Sequence, residues 1–395
     1  MYKRELFFTI KPQLEHKNAI VITGMRQVGK TTLMKHLADA WEGKHIWYDF
    51  DNPLDYIMFE NIDYKTIYEN LRREVGANTN ERFLVCIDEI QNFPEITKII
   101  KYLIDHFSLK FIVTGSSNYY LRNLFPESLS GRKFLYILQP LSYREYLYFH
   151  DRLSEEELNP DLNEALGTHT LVYSHKRKEL YSEYMQYGGF PEVATTEDIQ
   201  TKKLILKNIF ASFFEKDIKI FNELKDVREL RNLILLLGPR NGNMLDVSRL
   251  ASELGINRVK IYNYLEFLEG TFFLRLLPKF SRSIDRSVAG GKKVYFSDTG
   301  LLNLITATSQ GQLLETTIAN QLMHYGQVSY YNKRNTAEID FILNNEIAIE
   351  VKQKAISQDL YKLKNLADNL NIPKHYVLSN TITGNLDKVI YPWFL

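Results

Sequence analysis

The chain has 395 residues, 45% of them hydrophobic and 25% charged, and its 49 Lys plus Arg against 48 Asp plus Glu leave a net charge of +1. This composition excludes a mostly disordered chain, which would need low hydrophobicity and high net charge. Near-neutrality excludes a global basic field that would hold nucleic acid, so any such contact has to come from a local patch. At about 150 residues per domain the length is that of two to three domains. Cys86 is the single cysteine, which rules out an intrachain disulfide and a multi-cysteine zinc site and suits a reducing compartment. The apolar runs at 83–87, 134–138 and 233–237 are far shorter than the roughly 20 residues of a membrane span. No apolar stretch of signal-peptide length follows the N-terminus, so the expectation is a cytoplasmic protein with no membrane partner. The 25 Tyr and 23 Phe read as compositional drift more readily than as base-stacking platforms.

The first 140 residues alternate short apolar runs with helical patterns. Strands are expected at 19–23, 45–48, 83–87, 110–114 and 134–138. Continuous apolar runs of this length, with helices between, indicate a parallel sheet covered on both faces. Leu33, Met34 and Leu37 follow the first strand at helical spacing, and Ile99, Ile100 and Leu103 precede the fourth in the same way. From 141 to 237 the pattern is helical and charged, with breaks at Pro160-Asp161 and at Gly188-Gly189-Phe190-Pro191. Val247, Leu250 and Ala251 form one helical face, and Ile261, Leu265 and Leu268 a second, after a turn containing Gly255. That is the pattern of a helix-turn-helix, with wing strands expected at 272–274 and 293–296. The last 90 residues read as helix, strands and helix. The expected organisation is an α/β parallel-sheet nucleotide domain at 1–150, a helical lid at 151–240, a winged helix-turn-helix at 241–304 and a small α/β domain at 305–395.

Gly24-Met25-Arg26-Gln27-Val28-Gly29-Lys30-Thr31 fits the phosphate-loop pattern and stands between a strand and a helix, the context that motif needs. Glycines let backbone N–H groups turn inward around phosphates, and the helix N-terminus adds a favourable dipole. In that chemistry Lys30 reaches the β- and γ-phosphates and the Thr31 hydroxyl ligates Mg²⁺. The third strand ends in Asp88-Glu89, the matching Walker B element. Asp88 is expected to hold the Mg²⁺ shell and Glu89 to orient the attacking water. A polar side chain within Thr114-Gly115-Ser116-Ser117-Asn118 is a candidate γ-phosphate sensor, against the alternative of a capped strand end. Arg132, just before the fifth strand, is a candidate arginine finger in cis or across a subunit boundary, against the alternative of a solvated arginine.

These residues resemble an ATPase of the extended AAA+ class, in which an additional strand lies between the phosphate-loop strand and the Walker B strand. More narrowly, the chain resembles a prokaryotic family that joins such a domain to a C-terminal domain similar to restriction endonucleases. The matching segments are Gly24 to Thr32, Ile87-Asp88-Glu89-Ile90-Gln91, Thr114 to Ser117, Ser130-Gly131-Arg132, Pro140-Leu141-Ser142, Gly188-Gly189-Phe190-Pro191 and Phe296-Ser297-Asp298-Thr299-Gly300-Leu301. The resemblance implies ATPase activity with ATP and Mg²⁺ as cofactors. Gly24, Arg26, Gln27, Val28, Gly29, Lys30, Thr31, Thr32 and Ser116 are the expected ATP contacts.

The segment from Arg258 to Lys293 carries eight basic residues against Glu266, Glu269 and Asp285. A basic recognition helix with a basic wing is a phosphate-contacting surface, although winged helices also serve purely as packing modules. Further on, Glu315 lies in a predicted helix, Asp340 in a strand, and Glu350 and Lys352 in the next. An acid, about ten residues and Glu-x-Lys resembles the PD-(D/E)XK core of restriction endonucleases. Two carboxylates there hold Mg²⁺, a lysine positions the nucleophile, and Glu315 completes the shell. The alternative is a solvated strand face of alternating charge.

Strand parity sharpens the choice. A two-residue Asn344-Asn345 turn pairs Leu343 with Glu346 and puts Asp340 and Glu350 on opposite faces. An odd connection or a bulge brings Asp340, Glu350 and Lys352 together and buries both apolar stripes on one face. The expectation is therefore an odd connection. Two functions follow: an ATPase whose nucleotide state controls a nuclease or nucleic-acid-binding module acting on DNA or RNA, or a regulatory ATPase switch that binds protein or DNA without cleaving. A small-molecule kinase is a third reading, disfavoured by the C-terminal extension. A homo-oligomer is compatible with both leading readings.

Overall fold

The architecture is that of a computed structural model, which describes residues 2–61, 63–79, 81–116, 129, 131–158, 162–167, 174–217, 227–283, 290–333, 336–384 and 386–395. Ser117, Asn118 and Ser130, the Pro160-Asp161 break, and Asp285 and Arg286 lie outside the described residues. The chain divides into two compact units, Met1–Gln139 with Gly270–Phe272, and Pro140–Glu269 with Phe273–Leu395.

The first unit opens with helix α1 (Glu5–Ile10) and continues through β1 (Ala19–Thr23), α2 (Lys30–Asp39), β2 (His45–Asp49), α3 (Pro53–Ile57), α4 (Tyr64–Glu74), β3 (Leu84–Asp88), α5 (Ile96–Phe107), β4 (Lys110–Gly115) and β5 (Lys133–Ile137). Among the described residues these strands form one five-stranded sheet of order β2-β3-β4-β1-β5, with every neighbouring pair parallel. β4 therefore lies between β1 and β3. The three central strands are buried along their whole length, which is why they read as unbroken apolar runs rather than alternating ones. α5 buries Ile96, Ile99, Ile100 and Leu103 on one face, against Val85, Ile87, Phe111 and Val113 in one apolar cluster. Truncating any one of these to Ala costs about 2–5 kcal/mol.

The second unit is helical first: α6 (Tyr143–Phe149), α7 (Ser174–Tyr187), α8 (Pro191–Ala194), α9 (Ile199–Ser212) and α10 (Val227–Leu237). Then come α11 (Val247–Leu254) and α12 (Arg258–Gly270), followed by the antiparallel pair β6 (Leu274–Leu277) and β7 (Lys293–Phe296). Gly255 ends α11 in the left-handed conformation at φ 67, where glycine carries no Cβ penalty. The first strand of the pair starts two residues later than its sequence suggests. Phe272 takes a φ of 61, which is incompatible with an extended strand.

The remainder is α13 (Thr299–Ile305), α14 (Gln310–Leu322), β8 (Val328–Lys333), β9 (Ala337–Leu343), β10 (Ile347–Lys352), α15 (Ser357–Asn369), β11 (Lys374–Ser379) and β12 (Val389–Ile390). Among the described residues a second five-stranded sheet has the order β12-β11-β10-β9-β8. β8, β9 and β10 run antiparallel to their neighbours in a meander, while β11 is parallel to β10. Phe341, Leu343, Ile347 and Ile349 pack with Leu314 and Ile318 of α14. Ile342 and Ala348 pack with Leu363 and Ala367 of α15. The sheet is thus covered by a helix on each face.

Candidate functional site

The loop from Gly24 to Gly29 is shaped by its glycines and braced from behind. Gly24 has a φ of 150, and a Cβ there would collide with the Leu138 carbonyl. Gly29 has a φ of 94 and caps α2, and Gln27 adds a second left-handed residue at φ 63. The Lys30 ammonium is buried and donates to the carbonyls of Gly24 at 3.0 Å and Met25 at 2.8 Å. Arg4, from the segment before α1, is also buried. Its guanidinium donates to the Val28 carbonyl at 2.7 Å and the Gln139 carbonyl at 2.8 Å, so it ties the back of the loop to the end of the unit. Nothing local in the sequence marks Arg4, because its partners lie 24 and 135 residues away.

Asp88 is buried at the carboxyl end of β3. One of its oxygens accepts the Thr31 hydroxyl at 2.6 Å, and the other accepts the Thr114 hydroxyl and the Glu89 N–H. Thr114, on β4, therefore orients the acid from the neighbouring strand. Among the described residues of the polar stretch 114–118, Thr114 is the one bonded to the Walker B acid. Glu89 takes a left-handed backbone at φ 53, which turns its side chain out of the strand's alternation. There it accepts from the Gln91 amide and lies 3.9 Å from the Arg26 guanidinium. The hydroxyls of Thr23 and Ser116 are buried and have no hydrogen-bond partner among the described residues. Orphaned hydroxyls at the ends of β1 and β4, beside a loop bounded by Gly24 and Gly29, are the features an anionic polyphosphate and its Mg²⁺ would satisfy. Thr32 is half-buried on the first turn of α2.

Arg132 stands elsewhere. Its carbonyl accepts from the N–H of Ala19, the first residue of β1, so it lies at the amino end of a sheet whose phosphate loop is at the carboxyl end. At about 3.3 Å per residue the five residues of β1 separate the two by roughly 13 Å. The expectation of a finger acting in cis is corrected by this placement. The Arg132 guanidinium pairs with Asp105 at 2.6 Å.

In the second unit Glu315, Asp340, Glu350 and Lys352 come together. The β9–β10 connection is the three residues 344–346, and Leu343 pairs with Ile347, Ile342 with Ala348 and Phe341 with Ile349. Asn344 and Asn345 are both left-handed, at φ 52 and 61, and the Glu346 N–H donates to the Leu343 carbonyl at 3.0 Å. The paired register ends at Phe341 opposite Ile349, because β9 bulges there, Asp340 and Phe341 together facing one residue of β8. The expectation that the whole apolar stripe of β9 shares one face is corrected by this bulge: Phe341 packs on the α14 side and Ile339 on the α15 side. Beyond the paired register the Val351 N–H turns to the Asp340 carboxylate at 2.8 Å, and the Lys352 ammonium bonds Glu350 at 2.7 Å. Burial, reinforced by the charge of Asp340, pushes Glu350 up to about 7. Burial and the same charge push Glu315 up to about 7, and burial raises Asp340 as well. Crowded, desolvated carboxylates of this kind favour protons or cations.

Two residues on β7 complete the cluster, Tyr295, which carried no signal in the sequence, and Lys293, which read there as part of a basic wing. Tyr295 donates its hydroxyl to Glu315 at 2.5 Å. The buried Lys293 ammonium lies 2.8 Å from Glu338 and 3.8 Å from Glu315. Burial works against its charge, yet the surrounding acids outweigh burial and hold its pKa above the ordinary lysine value. Among the described residues no three His, Cys, Asp or Glu side chains make a ready-made metal cage. Mg²⁺ needs none, being held by one or two carboxylates together with substrate oxygens and water.

The same contacts revise the basic surface expected between 258 and 293. Lys293 is an interior partner of carboxylates, and Lys260 pairs with Glu229. Arg275 is brought down to about 10 by burial. Arg258, Arg282 and Lys292 remain exposed.

The sheet order, the phosphate loop after β1 and the Asp88–Thr31 contact define a P-loop nucleotide-binding α/β fold. Residues 16–147 match the AAA domain family, in keeping with the P-loop α/β fold of this part of the chain. Residues 178–312 match a domain of unknown function, DUF8612, and residues 310–388 another, DUF4143. The chain is similar to an uncharacterized protein of Haemophilus influenzae, 26% identical over 95% of this chain and 94% of that protein. It is also similar to an uncharacterized protein of Methanocaldococcus jannaschii, 28% identical over 82% of this chain and 72% of that one. Among solved structures it resembles the Walker-type ATPase paby2304 of Pyrococcus abyssi, with a TM-score of 0.46 and 15% identity over 77% of this chain and 96% of that one. No helix among the described residues is long and apolar enough to cross a membrane.

Proposed function

We propose that the chain is a Mg²⁺-dependent ATPase whose nucleotide state controls a metal-dependent phosphodiesterase in the second unit. The α11–α12 pair with β6 and β7 serves it as a winged helix-turn-helix that contacts DNA or RNA. At the nucleotide site the loop N–H groups and Lys30 bind the phosphates, Thr31 and Asp88 hold the Mg²⁺ shell, and Ser116 meets the γ-phosphate. Glu89 accepts a proton from the attacking water once it leaves Gln91 and Arg26. Bound Mg²⁺ supplies charge neutralisation for the phosphates.

The observation that carries the phosphodiesterase reading is the proximity of two half-buried carboxylates, Asp340 and Glu350, beside Lys352. Asp340 and Glu350 hold the second cation and Glu315 its outer shell, while Lys352 orients the attacking water. The cation there supplies Lewis acidity toward the phosphodiester.

A second reading, a regulatory ATPase that binds without cleaving, is favoured by Lys293. Its ammonium already neutralises Glu315 and Glu338, where a catalytic cation would otherwise be drawn. The experiment that separates the two is a metal-dependent cleavage assay on DNA and RNA, with and without ATP. Cleavage lost in Asp340→Asn but kept in Lys30→Ala without ATP supports the phosphodiesterase. No cleavage under any metal, with ATP hydrolysis intact, leaves the regulatory switch. For the ATPase itself, Lys30→Ala should abolish tight ATP binding, and Glu89→Gln should keep binding and stop turnover. A Glu89→Gln protein hydrolysing ATP at the parental rate would overturn that assignment.

A further inference from the structure

The second unit contains a cavity of about 1010 Å³ between the chain that follows β6 and the edge strand β8. Its wall carries Lys279, Arg282 and Lys333, and none of its described lining residues is an Asp or Glu. In a chain of net charge +1 such local segregation of positive charge is the footprint of a polyanion. The wall is built into the fold. The Phe280 N–H donates to the Tyr330 carbonyl at 2.6 Å, and the Tyr330 N–H donates to the Pro278 carbonyl at 3.1 Å. Residues 278–280 thus extend the sheet past β8. Tyr331 and Lys333 alternate onto one face of β8, which sets a half-buried aromatic ring beside an exposed ammonium.

The cavity also adjoins the acidic cluster. Gly291, in its lining, accepts the Tyr330 hydroxyl at 2.6 Å. The Lys293 ammonium sits 5.3 Å from the Tyr330 ring centroid and reaches Glu338 and Glu315. The Gly291 carbonyl, Tyr330 and Lys293 thus link the cavity wall to Glu338 and Glu315, at the edge of the acidic cluster.

We infer that this groove is the track for a single-stranded nucleic acid, with Lys279, Arg282 and Lys333 on its phosphates and Tyr331 stacking a base, and that it leads the strand to Asp340 and Glu350. This deepens the phosphodiesterase reading and rests on it only for the destination of the strand. Binding is measurable without cleavage. Each phosphate neutralised on a single strand steepens the salt dependence of log K by about 0.7. Base stacking on an aromatic side chain adds affinity that tolerates any sequence.

The test is fluorescence anisotropy of labelled oligothymidylate and oligouridylate of about twenty nucleotides, with the full chain in EDTA across a salt series. Lys279→Ala/Arg282→Ala/Lys333→Ala should flatten the salt slope by about 2. Lys333→Glu alone should weaken binding about tenfold near physiological salt, and Lys333→Arg should preserve it. Lys333 is exposed on an edge strand, so Lys333→Glu decides the matter even if the triple variant fails to fold. The DNA and RNA arms tell which sugar is preferred. Binding that ignores Lys333→Glu and keeps its full salt slope would overturn the groove, even if the protein cleaves. Binding that follows these changes with no cleavage under any metal would keep the groove and remove the phosphodiesterase.

Discussion

Arg4 is a cation placed where it touches no phosphate, and its geometry gives it a distinct task. Its guanidinium holds the Val28 carbonyl at 2.7 Å, which fixes the peptide plane that carries the Gly29 N–H. Bonds from a charged donor to carbonyls are each worth about 1.5–3 kcal/mol, and a buried carbonyl left unpaired costs about 1–3 kcal/mol. Arg4→Ala is therefore expected to lower thermal stability and to raise the ATP dissociation constant several-fold, with a smaller effect on turnover at saturation. Arg4→Lys keeps one donor of the two and should fall between. An unchanged dissociation constant in a folded Arg4→Ala protein would show that the loop holds its shape without the brace. Arg4 illustrates why part of the site was hidden. Lys30, Thr31, Asp88 and Glu89 announce themselves through short-range spacing. Arg4, Thr114, Lys293, Glu338 and Tyr295 act through partners brought in from distant segments, and neither periodicity nor motif encodes such pairs.

Elements were more legible than these partners, because strand runs and helical faces are local patterns, and the unbroken apolar runs found the sheet of the first unit. The segment 188–191 reads as a helix break and 296–301 as part of the family resemblance, and neither reading links them, yet they form a single latch. Asp298 caps α13, accepting the Leu301 N–H at 3.0 Å, and also accepts the Gly189 N–H at 2.7 Å. A Cβ on Gly188 would strike that carboxylate, and one on Gly300 would strike the Tyr187 carbonyl. Burial raises Asp298 from 3.8 to about 6, and its backbone donors offset this only in part. Between those two values the folded chain keeps a proton that the unfolded chain has lost. The stability owed to this group is thus fully present below about pH 4 and falls as pH rises to about 6, by on the order of 3 kcal/mol. The melting temperature of the parent minus that of Asp298→Asn should decline across this window, and a difference flat in pH would refute the protonated latch. The β9–β10 hairpin makes a second test at this scale. Deleting Asn345 leaves an even connection and moves every β10 side chain to the other face, so Asp340 loses Glu350. Stabilisation of the parent by Mn²⁺ or Mg²⁺ should disappear in the deletion and in Asp340→Asn alike. A deletion variant that is folded and still stabilised by metal would separate the metal site from this register.

At the scale of the whole molecule the open question is whether one chain suffices for turnover, and Arg132 decides it. In the proposed nucleotide site the phosphates and their Mg²⁺ meet Lys30, Thr31 and Asp88, and an arginine supplied from a neighbouring copy would add a cation at the γ-phosphate. Arg132 cannot serve its own chain, since the length of β1 lies between it and the phosphate loop, but its side chain is partly exposed and within reach of a neighbouring copy. Its present partner is Asp105, at 2.6 Å with both side chains about one-third exposed. An ion pair so exposed is screened by solvent and weak, a contact that a γ-phosphate of greater charge would outcompete. An arginine supplied in trans raises turnover without entering the ground-state site, and such a group is worth roughly a thousandfold or more in rate where it operates. Hydrolysis per chain is therefore expected to climb with protein concentration as copies associate. Arg132→Ala should abolish the climb while leaving the ATP dissociation constant unchanged, and Asp105→Ala, which frees the guanidinium, should leave the climb intact. A rate per chain that stays constant over about a hundredfold dilution, with Arg132→Ala silent, would mean that the arginine belongs to Asp105 and that a single chain is the working ATPase.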